Sequence, residues 1–312
     1  MILLFPEGYE GEAMNLGYIG LGKMGSNMVE RLLEKGHDVI AFDRNVDAAQ
    51  DVKKKGGRAA DTLGSLIAAL APFRLVWIMV PYQAVDSVLR EIAPLLAAGD
   101  VVIDGGNSPY EESIRRAQEL EARGIDFLDA GVSGGPAGAR NGACIMVGGR
   151  KEVYQRCEAL FRDLAVPSGY GYMGGPGAGH FVKMVHNGIE YGMMQALAEG
   201  FAVMKAADFR LDLAKIADVY NHRSVIESRL LDWLQSAFLQ YGEDFTGISG
   251  SVAQSGEGLW TVEAGKKLGV PTPIIEAALD FRIRSQKHPS YTGKVLSAMR
   301  NQFGGHDVKV KK

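Results

Sequence analysis

NLGYIGLGKMG, residues 15–25, decides how the first half of the chain is read. A short apolar run of strand type leads straight into Gly20, Gly22 and Gly25, and a helical stretch follows from Met24. In that position GxGxxG has a mechanism. The first glycine permits a tight turn, the second lets the backbone approach a pyrophosphate, and the third lets helix and strand pack closely, with the phosphates at the helix N-terminus. Alone, a glycine-rich turn is weak evidence. Here HDVIAFD follows and ends in Asp43, about 20 residues on, where a carboxylate accepts hydrogen bonds from ribose hydroxyls and repels a 2′-phosphate. The turn, with Leu21 and Met24 between its glycines, and Asp43 therefore predict a dinucleotide site that favours NAD. Arg44 is the complication: it reads either as a solvated loop charge or as a fork for the 2′-phosphate of NADP.

Working outward, β-type runs alternate with helical ones: HDVIAFD, RLVWIMV and DVVIDGG each precede a helical stretch, starting at Val46, Ala84 and Tyr110. Continuously apolar runs such as LVWIMV fit a parallel sheet covered by helices on both faces. FLDAG, CIMVGG and VPSGYGYM read as further strands. After GYGYMGGPGAG no convincing strand appears, and helices are expected over 180–207, 213–221, 225–239, 251–268, 273–285 and 292–303. The expected fold is α/β, a Rossmann-type dinucleotide-binding domain over 14–178 followed by an all-helical domain with a C-terminal tail over 179–312. Residues 1–13 read as an extension, either a flexible arm or an upstream translation start before Met14.

The 312 residues include 46% hydrophobic and 23% charged residues with a formal net charge of −3, an ordinary globular balance with no general affinity for nucleic acid. No apolar run approaches the roughly 18 residues needed to span a bilayer. Cys144 and Cys157 lack CxxC spacing, so buried thiols in a reducing, cytoplasmic setting are expected, without a disulfide.

The chemistry is concentrated in GAGHFVKMVHNGIEYGMMQALAEG, residues 177–200. Lys183, His186, Asn187 and Glu190 are separated by 3, 1 and 3 residues, which at 100° per residue places them within roughly a 100° arc of one helical face. An amine and a carboxyl among apolar neighbours suggest a base and an acid, against the plainer reading of a solvated stripe. Val80, Pro81 and Asn107 stand at the carboxyl ends of strands, where ligands of open α/β sheets bind, although Asn107 also reads as a helix cap. Ser133, Gly134 and Gly135 offer a bare-backbone loop with one hydroxyl. Arg300 and His306 suit an anion, or a helix C-terminus with its compensating cation. No metal-ligand spacing such as HExxH is present, and no metal is expected.

Taken together, GLGKMGSNM, IDGGNSPYEESIRR, GVSGGPAGAR, GAGHFVKMVHNGIEY and RNQFGGH, in order from about 17 to 306, resemble the decarboxylating 6-phosphogluconate dehydrogenases of the short form. Sister β-hydroxyacid dehydrogenases share the N-terminal half and the lysine pattern, but not HNGIEY. The resemblance implies oxidation of 6-phosphogluconate at C3 and its decarboxylation to ribulose 5-phosphate. Lys183 would be the general base and Glu190 the general acid. Asn107, Ser133, Gly134, Gly135, His186 and Asn187 would hold the sugar acid, and Tyr191 and Arg282 its phosphate. Arg300 and His306 would reach the site of a neighbouring subunit, making a dimer with shared sites and leaving larger assemblies open. Three departures stand out: Ser255 where a phosphate-binding lysine is expected, Pro136 and Ala137 after the Ser-Gly-Gly loop, and Asp43, Arg44, Asn45 where NADP-dependent members carry Asn-Arg-Thr. The remaining alternative is a sister enzyme acting on an unphosphorylated 3-hydroxy acid.

Overall fold

A computed structural model describes residues 13–308; the sequence extension before Ala13 and the last four residues lie outside them. The chain divides into two compact units between Lys183 and Met184. In the first, β1 (Asn15–Ile19) and α1 (Lys23–Glu34) frame the glycine turn. They are followed by β2 (Asp38–Phe42), α2 (Val46–Lys54), β3 (Arg58–Ala59), α3 (Leu63–Ala68), β4 (Leu75–Ile78) and α4 (Tyr82–Ile92). The unit continues with β5 (Val101–Asp104), α5 (Tyr110–Glu121), β6 (Asp126–Ser133), α6 (Gly135–Asn141), β7 (Ala143–Gly149), α7 (Lys151–Leu164) and β8 (Ala165–Gly174).

The sheet runs β3-β2-β1-β4-β5-β6-β7-β8, parallel throughout except between β6 and β7. That exception has a local cause. A parallel return needs a crossover of about a dozen residues or more, whereas the link from Ser133 to Ala143 is shorter and holds only α6. Strand order reverses between β1 and β4, and the carboxyl ends of those strands form the crevice where such sheets bind ligands. Both faces of the sheet are buried: Leu75 and Trp77 pack in one core layer with Tyr18 and Phe161, while Val76 and Ile78 pack in the other with Ile19 and Ile40. The two-residue β3 was not legible in KKKGGRAAD, which has no apolar run.

In the second unit α8 (Ala178–Ala206), α9 (Leu213–Tyr220), α10 (Arg229–Tyr241), α11 (Glu257–Leu268), α12 (Pro273–Ser285) and α13 (Tyr291–Gly304) supply the helices, the start of α8 belonging to the first unit. Met194, Phe201, Leu231, Leu234, Phe238, Leu296 and Met299 form its core. Two helices start later than expected. The Ser228 hydroxyl caps α10 by accepting from Leu231 N–H, and Asn221 Oδ1 takes the Ser228 N–H, so residues 225–228 are held out of the helix. Residues 251–256 are diverted because Val252 N–H donates to Ser285 Oγ and Gln286 Nε2 donates to Val252 O, at 2.9 and 2.8 Å. No described helix is long and apolar enough to cross a membrane. Cys157 is buried and its thiol is pushed up to about 12 by desolvation; Cys144, expected to be buried, is the one exposed position of β7, near the strand's start.

Candidate active site

The glycine turn has the geometry its spacing calls for. Gly20 has φ +102°, and a Cβ there would run into Met79 O, while a Cβ on Gly25 would run into Gly20 O. Gly22 differs: a side chain would meet no atom within 4 Å, so its bareness keeps the space before α1 open. Gly22 is also the N-cap of α1 and brings no side-chain acceptor to the helix start. A cradle of this kind fits a pyrophosphate at a helix N-terminus. Asp43 has a structural task that sequence reasoning missed. Its carboxylate accepts from Leu21 N–H at 2.6 Å and from Asn45 N–H at 2.7 Å, tying the end of β2 to the glycine turn. The available signal was Asp-x-Asn after a strand, an Asx-turn pattern. Arg44 is exposed.

Val80 and Pro81 follow β4, and Pro81 is the N-cap of α4. Asn107 stands exposed beyond β5, but it is not the cap of α5, which is Pro109. A buried network sets this loop. Asp104 accepts from Gly106 N–H at 3.0 Å, Ser108 Oγ at 2.8 Å and Arg116 Nη1 at 3.2 Å. Arg116 reaches across to Asp86 at 2.7 Å and to Tyr82 O at 3.3 Å, joining the loops after β4 and β5. Neither partner was picked out from sequence, because a buried Arg–Asp pair resembles a surface pair in a helical stretch such as EESIRR.

Ser133 ends β6, and Gly134 and Gly135 turn with φ +120° and +61° into α6. Lys183 is only 8% exposed. Further along the same helix, His186 Nδ1 lies 3.0 Å from Asn187 Oδ1. The offsets expected from sequence are realised in the unbroken α8.

Around the second unit's part of α8, positive charge is buried. Arg282 on α12 is 2% exposed and Arg300 on α13 is 7% exposed. Among the described residues neither is in an ion pair within 4 Å. The Arg282 guanidinium stacks 3.4 Å above the Tyr191 ring centroid, with Nη2 3.6 Å from Met194 Sδ. Burial, aggravated by Arg300, pulls the Arg282 guanidinium down to about 10, opposed by Tyr191 and Glu190. Arg300 is also shifted down by burial, opposed by Tyr191, Glu190 and Glu257. The buried Tyr191 hydroxyl finds no hydrogen-bond partner among the described residues. Two cations and a hydroxyl withheld from water suit a dianion. Arg300, on the core helix α13, lies close enough to Arg282 and Tyr191 of its own chain for their charges to act on one another. His306 lies past α13, exposed, its ring 6.2 Å from that of Phe303. Ser255 is exposed in the loop before α11. Among the described residues no group of three or more His, Cys, Asp or Glu side chains is placed to hold a metal ion.

The profile of the NAD binding domain of 6-phosphogluconate dehydrogenase matches residues 15–174, and that of the 6-phosphogluconate dehydrogenase C-terminal domain matches residues 179–312. The chain belongs to the 6-phosphogluconate dehydrogenase family. It is 41% identical over 297 residues to the NAD(+)-dependent, decarboxylating 6-phosphogluconate dehydrogenase of Haloferax volcanii, covering 95% of this chain and 98% of that one. It is 47% identical over 298 residues to YqeC of Bacillus subtilis, provisionally named a 6-phosphogluconate dehydrogenase, covering 96% and 100%. Against the human decarboxylating enzyme identity is 36%, and the match spans 59% of that longer protein. The structure of the Plasmodium falciparum enzyme superimposes with a TM-score of 0.80 at 31% identity, covering 88% of this chain and 62% of that one. A 3-hydroxyisobutyrate dehydrogenase from Salmonella typhimurium has a TM-score of 0.74 at 22% identity, a likeness of fold alone.

Proposed function

We propose that this chain oxidatively decarboxylates 6-phospho-D-gluconate to D-ribulose 5-phosphate and CO2, a pentose phosphate reaction, and reduces NAD in preference to NADP. The observation that carries the substrate is the buried pair Arg282 and Arg300 beside Tyr191, a cluster that an unphosphorylated hydroxy acid would leave uncompensated. The Haloferax relative's NAD dependence and the carboxylate of Asp43 both support NAD.

Held at the glycine turn, the nicotinamide cofactor supplies the acceptor for the hydride leaving C3. Lys183, in its neutral form, takes the C3 hydroxyl proton, and the product is a 3-keto acid. Asn107, the Ser133–Gly135 loop, His186 and Asn187 orient the sugar acid. Loss of CO2 breaks the bond between C1 and C2 and leaves an enediolate. Protonated Lys183 stands beside its oxygen, and Glu190 delivers the proton to the carbon that becomes C1 of the pentose. No step calls on a metal.

A homodimer with shared sites, in the cytoplasm, is part of the same proposal. Its support is the apolar surface left open on the helical unit, including Val203, Phe209, Val225, Leu239, Leu268 and Ile274. His306 is the residue with which one subunit would reach its neighbour's site. The deciding assay offers 6-phosphogluconate or gluconate with each cofactor and follows reduction and pentose phosphate release together. Reduction with NAD and 6-phosphogluconate, matched by ribulose 5-phosphate, is expected. Equal turnover of gluconate would end the phosphate reading, and a monomer at assay concentration would end the shared-site reading.

A further inference from the structure

We propose that Asp129 is a positioning residue whose buried carboxylate fixes the first turn of α8 and thereby sets where Lys183 stands against β6. The inference rests on the reading of Lys183 as general base. Asp129 is fully buried in the middle of β6. One oxygen accepts from Gly177 N–H at 2.7 Å and the other from His180 N–H at 2.8 Å. Those groups belong to the start of α8, where N–H donors have no partner within the helix and the helix dipole is positive. No cation pairs with Asp129 among the described residues, so its charge is directed wholly at the helix start. The same turn is tied a second time through His180 Nδ1, 2.7 Å from Ser113 Oγ on α5.

The clamp leaves little slack. Gly148 pairs with Asp129 across β6 and β7, and a Cβ on it would lie 2.5 Å from Gly179 N and 2.6 Å from Asp129 Oδ1. A Cβ on Gly179 would lie 2.5 Å from both Asp129 O and Met146 O. The helix therefore begins directly on the backbone of two strands. Side chains at i, i+2 and i+4 of a strand share one face, at about 3.3 Å per residue. On that face of β6 come Asp129, then Gly131, then Ser133. A Cβ on Gly131 would collide with Lys183 Cβ and stand 2.8 Å from its Cγ, so the lysine stem rests on bare strand. One strand thus supplies in succession the clamp for the helix, the seat for the base and the loop assigned to the substrate.

Asp129→Asn tests this, since its amide NH2 cannot accept from an N–H and one of the two clamp bonds is lost. A shift of about 1 Å in a reacting group costs on the order of 100-fold, so kcat is expected to fall about 10- to 100-fold. KM for both ligands should stay within about threefold, and the primary isotope effect with C3-deuterated substrate should rise as hydride transfer becomes slower. Gly131→Ala leaves both Asp129 hydrogen bonds in place and acts mainly on the lysine stem, pressing less tightly on Gly179 O at 3.1 Å, and the double variant should lose less than the product of the two effects, the signature of one shared cause. Should Asp129→Asn not fold, Gly148→Ala crowds the same carboxylate and is read in the same way. An unchanged kcat, or losses that multiply with no change in isotope effect, would overturn the positioning role. Lys183→Met separates the two ideas: turnover retained there overturns the base itself, whereas an inactive Lys183→Met beside an unimpaired Asp129→Asn overturns only the clamp.

Discussion

Replacing Arg282 with methionine should make the protein more stable and a poorer host for its substrate. Burial is the main cause that pulls the guanidinium from its ordinary value down to about 10 on folding, which at 1.36 kcal/mol per pH unit is about 3 kcal/mol against keeping the charge at neutral pH. The sign follows from linkage. A cation whose folded value is depressed destabilises the fold throughout the range below about 10, and the penalty fades only as pH rises toward the ordinary guanidinium value. Methionine keeps an apolar stem beside Met194 but loses the stacking on Tyr191, worth about 1–2 kcal/mol. A net gain of about 1–2 kcal/mol remains, a few degrees in Tm. With substrate the balance reverses: removing one of two buried cations from a phosphate costs about 2–4 kcal/mol, roughly 30- to 900-fold in KM. Thermal unfolding of the unliganded protein and steady-state kinetics with 6-phosphogluconate and gluconate measure both halves. Cofactor KM should hold, and the preference for the phosphorylated substrate should collapse. A lower Tm with KM for 6-phosphogluconate inside threefold would show Arg282 to be a packing residue.

The other expectations concern the ends of the site and one distant pair. Lys183→Met should abolish hydride transfer with both ligands still bound by titration, and Glu190→Gln should slow protonation of the pentose more than oxidation; turnover within tenfold of wild type for the lysine variant contradicts its role. Asp43→Ser should raise the NADP to NAD ratio of kcat/KM by about tenfold or more, because repulsion of the 2′-phosphate disappears and Leu21 and Asn45 N–H lose a charged acceptor worth about 1.5–3 kcal/mol each. An unchanged ratio would remove Asp43 from cofactor selection. His37 is buried, accepts from Met14 N–H at 3.1 Å and faces Asp163 at 3.2 Å; burial lowers it below its ordinary value, with Asp163 opposing. Its neutral form is therefore favoured in the fold, and the associated stability is complete above about 6.5 and lost as pH falls toward the folded value. Tm should drop further between pH 7 and 5.5 in wild type than in His37→Gln, and parallel curves would exclude this pair as the source.

Much of the sheet was readable because its strands carry their own signal. LVWIMV and VVID are apolar on both faces, and only a covered parallel sheet accepts that. Asp43 was singled out by its distance from GLGKMG, the distance at which the proposed ribose contact would fall across a fixed βαβ unit. The structural duty of Asp43 was hidden because its partners are backbone N–H groups, which every residue but proline carries. The same applies to Asp129: DFLDAG reads as a strand with a polar residue in it, and only the chain's return through Gly177 and His180 gives that carboxylate donors.

The anion cluster shows where local pattern runs out. Lys183 to Glu190 could be grouped because one helix fixes their spacing, about 1.5 Å of rise per residue. Tyr191, Arg282 and Arg300 sit on three helices, α8, α12 and α13, and nothing in the spacing of 191, 282 and 300 predicts a guanidinium 3.4 Å above a tyrosine ring. Resemblance named these residues, whereas burial and charge give the physical reason for them: two arginines are held from water without a carboxylate bonded to either, a state that a fold driven by its own stability would not retain. Arg300 carries the further consequence. Because α13 is core, with Leu296, Ala298 and Met299 fully buried, cutting the chain before Arg300 would remove Phe303 from Trp233 and Asn301 from Tyr241 as well as the cation. A point change, Arg300→Met, is the cleaner probe of the anion site, and His306→Ala, at an exposed position, is the cleaner probe of a reach between subunits.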